Sequence, residues 1–84
     1  MTYSAIGYAY LELSNAKLAL ADLDAALAAS GTRLPSNTTL AYTYYARGVA
    51  ERMLGRKSAA QLDIARAEKL YPVVGQGFAH FMHR

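Results

Sequence analysis

The chain has 84 residues, 54% of them hydrophobic and 18% charged, with a formal net charge of +3 and no cysteine. This length leaves room for one domain with a thin core, and the composition excludes an intrinsically disordered chain, a disulfide scaffold and a thiolate-metal site. Charge is uneven: residues 1–42 sum to −1 and residues 43–84 to +4, a balance that suits an acidic partner. The basic residues are interleaved with acidic ones and no nucleic-acid motif occurs, so nucleic acid is not an expected partner. No run of apolar residues is long enough to insert into a membrane, and the N-terminus lacks the features of a signal peptide. A cytoplasmic protein is therefore expected; the lack of cysteine is also compatible with a bacterial periplasm.

Seventeen residues are alanine, the best helix former, and the two prolines, Pro35 and Pro72, mark breaks. The first predicted helix runs from about Thr2 to Leu13, with Ile6, Tyr10 and Leu13 at helical spacing. Ser14 and Asn15 offer the next N-cap. The second helix, about Ala16 to Ala29, carries a stripe of Leu20, Leu23 and Leu27 flanked by Ala19 and Ala26, with Asp22 and Asp24 on the wet side. Ser30 and Gly31 end it, Gly31 as a left-handed C-cap. A long loop, 30–37, follows, with Arg33 and Leu34 as its candidate contact residues. Ser36 or Asn37 caps a third helix, about Thr38 to Leu54, whose Thr39, Tyr42 and Thr43 need tertiary packing. Gly55 breaks the chain. The fourth helix, about Lys57 to Leu70, has Leu62, Ile64 and Ala67 on its predicted apolar side, and Tyr71-Pro72 stops it. A short fifth helix, about 76–84, follows from Phe78, Phe81 and Met82 at i, i+3, i+4, and its apolar side is expected to pack on the fourth helix. No segment alternates with the period of a strand.

The two hairpins share one sequence pattern. Tyr3, Gly7, Leu13, Ala19, Leu23 and Ala26 recur 41 residues later as Tyr44, Gly48, Leu54, Ala60, Ile64 and Ala67. Gly7 and Gly48 fall mid-helix, where glycine costs about 1 kcal/mol against alanine, so close helix approach is expected at both. The order Tyr44, Gly48, Ala60, Ile64, Ala67, Pro72 resembles the tetratricopeptide repeat, a helix hairpin of about 34 residues. Residues 41–74 look like a complete repeat. Residues 1–33 resemble it through Tyr3, Gly7, Tyr10, Ala19, Leu23 and Ala26, but Gly31 stands where the proline belongs and Ser14 where the turn glycine belongs. The loop 30–37 accounts for the longer offset. A Sel1-like repeat, a relative of variable length, is the alternative; there, however, the extra residues sit between the helices of a pair. The implied fold is all-α: an α-solenoid of two antiparallel helix hairpins with a short fifth helix, forming a single domain over 1–84.

The resemblance implies a module that binds a peptide or helix of a partner protein in a concave groove lined by first helices, without catalysis. Carried over by position, the groove holds Ser4, Tyr8, Leu11 and Glu12 from the first hairpin and Tyr42, Tyr45, Val49, Arg52 and Met53 from the second. Tyrosine and arginine dominate binding energy at interfaces, and Arg52 is the expected partner of an acidic group. The family members that clamp a terminal carboxylate carry lysine and asparagine where this chain has Ser4 and Tyr8, so that specialisation is not expected. The alternative is self-association as a structural adaptor through Phe78, Phe81 and Met82, or a role as a piece of a longer solenoid, because two repeats are fewer than stability usually needs. No cofactor and no metal are expected: His80 and His83 are three apart, but two ligands do not make a site. Asp22, Asp24 and Asp63 are expected on outer faces, away from any acid-base pair. No nucleophile elbow or phosphate-cradling loop occurs, so an enzyme is not expected.

Overall fold

The computed structural model describes Leu11, residues 15–29 and residues 36–79. The first predicted helix except Leu11, most of the loop 30–37 including Arg33 and Leu34, and the last five residues lie outside the described residues. Among the described residues the fold is all-helical: α1 (Ala16–Ala29), α2 (Asn37–Met53), α3 (Lys57–Leu70) and a 3₁₀ helix (Val74–Phe78).

Local chemistry sets the boundaries. The Asn15 side-chain oxygen accepts from the Leu18 amide at 3.4 Å at the start of α1. Ser36 Oγ accepts from the Thr39 amide at 3.1 Å, so Ser36 is the N-cap of α2. Thr43 Oγ1 donates to the Thr39 carbonyl at 2.9 Å, which satisfies a buried hydroxyl inside the helix. Gly55 takes φ +80°, the left-handed conformation that turns α2 into α3. Tyr71, held extended by Pro72, ends α3.

α2 is the central helix and packs against α1, α3 and the 3₁₀ helix. Its pairs with α3 step in opposite directions, Tyr44 with Arg66, Arg47 with Asp63 and Gly48 with Ala60, so the two helices are antiparallel. The core joins Leu11, Leu23, Tyr45, Val49, Val74 and Phe78 to the alanines at 16, 19, 41, 46, 50 and 67. Small residues at so many contacts bring the helix backbones close. At Gly48 a β-carbon would stand 2.7 Å from Ile64 Cγ1 and 3.1 Å from the Ala60 carbonyl oxygen. Gly48→Ala should therefore destabilise by about 1–3 kcal/mol through overpacking, although alanine is the better helix former. A thermal melt at or above that of the parent would contradict the close approach.

Two expectations need correction. Leu62 is 61% exposed, whereas Asp63 is 3% exposed. Ala60, Asp63 and Ala67 share the stripe at i, i+3, i+7 that faces α2, and Leu62 lies one residue around from it. The tail packs chiefly on α2, the third predicted helix, with α3 contributing less. Val74 and Phe78 are buried there, and Val73 is 46% exposed.

Candidate functional site

Tyr42, Tyr45, Val49 and Arg52 fall at i, i+3, i+7, i+10 and form one stripe along α2. Its N-terminal half is partly covered by the chain's own 3₁₀ helix, which encloses Tyr45 and leaves one side of Tyr42 open. The Phe78 ring stacks on Tyr45 at 4.8 Å between centroids and tilts against Tyr42 at 5.8 Å; Tyr42 also meets Tyr71 at 6.4 Å. Gly75 and Gly77 let the backbone lie on these rings: a β-carbon would come within 3.2 Å of the Tyr45 hydroxyl oxygen at Gly75, and within 3.1 Å of Tyr42 Cε1 at Gly77. Tyr45 is consequently buried, and burial, with the Glu68 carboxylate adding to it against the opposing pull of Arg52, raises its phenol above the ordinary value.

The predicted groove residues thus divide. Leu11, Tyr45 and Val49 are buried in the core and do not face water. Tyr42 and Met53 are open, at 39% and 37% exposure, and Arg52 is exposed. Ser4, Tyr8 and Glu12 lie outside the described residues. Of the self-association candidates, Phe78 is buried within its own chain, while Phe81 and Met82, like His80 and His83, lie outside the described residues.

The C-terminal half of the stripe opens into a cleft of about 310 Å³ between α2 and α3, lined by Arg52, Lys57, Ala60, Gln61 and Ile64. Ala60 and Ile64 make its apolar floor, and Arg52, Lys57 and Gln61 its exposed rim. Here α3 begins with Arg56 at its N-cap position, no side chain capping it and no acidic residue in its first turn. The helix end adds its partial positive charge to that of the two cations, so the cleft favours an anionic group beside an apolar one.

Across the α2–α3 seam lies a charge cluster that the sequence reading missed. Arg47 Nε donates to Asp63 Oδ2 at 2.7 Å and Nη2 to Asp63 Oδ1 at 2.8 Å, a bidentate pair; Nη1 donates to Asp24 Oδ1 at 3.2 Å, tying in α1. Arg66 Nη1 stands 3.6 Å from Asp63 Oδ1. The ring of Tyr44 meets both guanidiniums, at 5.6 Å from Arg47 and 5.9 Å from Arg66. Glu51 lies one turn beyond Arg47, 8% exposed, with its carboxyl against that of Asp63. Among the described residues, its buried Oε1 has no hydrogen-bond partner. Burial first, then the hydrogen bond and charge of Asp63, push Glu51 up to about 7. Burial also pushes Asp63 up, but its bonds from Arg47 and Glu51 and the charges of Arg47 and Arg66 outweigh that and hold it below the ordinary value. The bond to Asp63 raises Arg47. The expected outer-face position of Asp63 is thereby corrected. Its place between Ala60 and Ala67, and the i, i+4 spacing of Arg47 and Glu51, were the available signals.

Among the described residues no group of histidine, aspartate and glutamate could hold a metal ion, and no helix is long and apolar enough to cross a membrane. Compared with known proteins, the chain matches no protein-family model, no curated protein and no solved structure.

Proposed function

We propose that the chain is a non-catalytic protein-interaction module of tetratricopeptide-like architecture, and that its binding surface is the cleft at the C-terminal end of α2. The observation that carries this reading is the cleft's composition: two cations and an uncapped helix N-terminus over a floor of Ala60 and Ile64. The similarity of residues 41–74 to a repeat that binds partner segments along its first helices supports the same reading. The partner presents a short acidic segment with an aliphatic side chain next to the carboxylate. The apolar group seats on Ala60 and Ile64, the carboxylate meets Arg52 and Lys57, and Tyr42 and Met53 offer further open contact along α2.

Selection of displayed random peptides on the immobilised protein tests this. Recovered peptides should be rich in aspartate or glutamate beside leucine, isoleucine or valine. Their affinity should fall at least tenfold, about 1.4 kcal/mol, on the double variant Arg52→Glu/Lys57→Glu, which circular dichroism should show still folded. Binding should also weaken with added salt. Peptides without acidic enrichment, or equal binding by the folded variant, would remove the cleft from the account.

A further inference from the structure

The cluster at Glu51 and Asp63 plays no part in the proposed binding, and its geometry is unusual for a purely structural ion pair. A structural pair needs one acid for Arg47, and Asp63 fills that role with both oxygens. Glu51 adds a second carboxyl to the same enclosed space, yet its Oε1 is buried with no partner among the described residues. An ionised carboxylate held there would lack a donor and face a like charge. A protonated one would donate to Asp63 and remove both faults at once.

We infer that the seam between α2 and α3 is a proton-operated clamp, in which Glu51 takes up and keeps one proton and hydrogen-bonds through it to the Asp63 carboxylate, so that the helix hairpin tightens on mild acidification and loosens above neutral pH. The proton comes from solvent and forms one O–H bond on the Glu51 carboxylate; no other bond changes, and the two carboxyls then carry one negative charge instead of two. Among the described residues, three elements bring charged groups to the pair. Arg47 faces the pair from the helix of Glu51 itself, Asp63 and Arg66 face it from α3, and Asp24 does so from α1. The 3₁₀ helix, Val-Gly-Gln-Gly-Phe, brings no charge. The arginines keep Asp63 ionised and ready to accept, while burial and the neighbouring carboxylate keep Glu51 protonated to an unusually high pH.

The sign follows from the two directions. Glu51 binds its proton more tightly folded than unfolded, so its contribution is fully present below its ordinary value of 4.5 and is lost as pH rises through about 7. Asp63 works the other way: its contribution is present above its ordinary value of 3.8 and lost only in stronger acid. From about pH 8.5 down to about pH 5.5, the Glu51 effect alone should shift the folded-to-unfolded ratio on the order of tenfold toward folded.

Two measurements test the clamp on the intact chain. Carbon-13 NMR titration of the Glu51 carboxyl should give a midpoint near neutral pH, and a midpoint in the ordinary glutamate range would overturn the proposal. Urea unfolding of the parent should show the tenfold gain on acidification, and Glu51→Gln, which keeps a donor toward Asp63, should lose it. Histidine ordinarily changes charge near neutral pH, but both histidines of the chain are retained in both proteins, so the difference between the two isolates Glu51. An equal pH response in parent and variant would also overturn it. If the variant does not fold, the carboxyl titration decides alone.

Discussion

Phe78→Ala should destabilise the chain by about 3–5 kcal/mol, the range for deleting a fully enclosed aromatic ring. Phe78 is 1% exposed and the largest fully buried side chain of the described core. Its ring ties the 3₁₀ helix to Tyr45 and Tyr42 on α2, so its loss frees the 3₁₀ helix as well as opening a cavity. A domain of this length has about 4–13 kcal/mol of stability in all, so the variant should melt on the order of 15 °C lower. The loss should not depend on protein concentration, because the contact is within one chain. A concentration-dependent loss with a lower mass in solution would instead assign Phe78 to self-association. A melt within a few degrees of the parent would mean that the tail is not part of the core.

Arg47→Ala should cost about 3 kcal/mol near pH 7.5. Removing one partner of an enclosed ion pair leaves the other charge uncompensated, at a typical cost of about 3–5 kcal/mol. The lower end applies because the Arg47 side chain is 21% exposed. The substitution strands Asp63, 3% exposed, beside Glu51 and cuts the tie to Asp24 on α1. Without Arg47, Asp63 loses the group that holds its acidity high, and either carboxyl can be neutralised by a proton. The deficit should therefore shrink as pH falls toward about 5. Urea unfolding at several pH values reads this directly. A deficit that stays constant with pH would mean that Arg47 stabilises by packing on Tyr44 alone.

Helix positions were legible because the signals were local. Ser36, Gly55 and the Tyr71-Pro72 step act through their own backbone geometry, and α1 and α3 have the bounds that alanine content and breakers imply. Gly48 was legible as a close-approach site because a mid-helix glycine has a cost that needs a reason. Which face of each helix points inward was less legible. Asp63 lies inside and Leu62 outside because a charge can be buried when an arginine from another helix reaches it, and that partnership between residues 47 and 63 leaves no local trace. The stripe of Tyr42, Tyr45, Val49 and Arg52 was legible through the repeat resemblance. That its first half is covered was not, since the cover depends on the path of Val74–Phe78 back across α2. Arg52 is legible through the repeat resemblance, but Lys57 is its neighbour only because the turn at Gly55 folds α3 back beside α2.

Whether the cleft beside Arg52 and Lys57 receives an acidic, apolar segment can be read by nitrogen-15 NMR of the protein titrated with a peptide recovered by the selection. Amide shifts should concentrate at Arg52, Met53, Lys57, Gln61 and Ile64, spare Asp24 and Leu23 on α1, and disappear in Arg52→Glu/Lys57→Glu. Shifts centred on α1 or on the 3₁₀ helix, with the cleft unmoved, would contradict binding in the cleft.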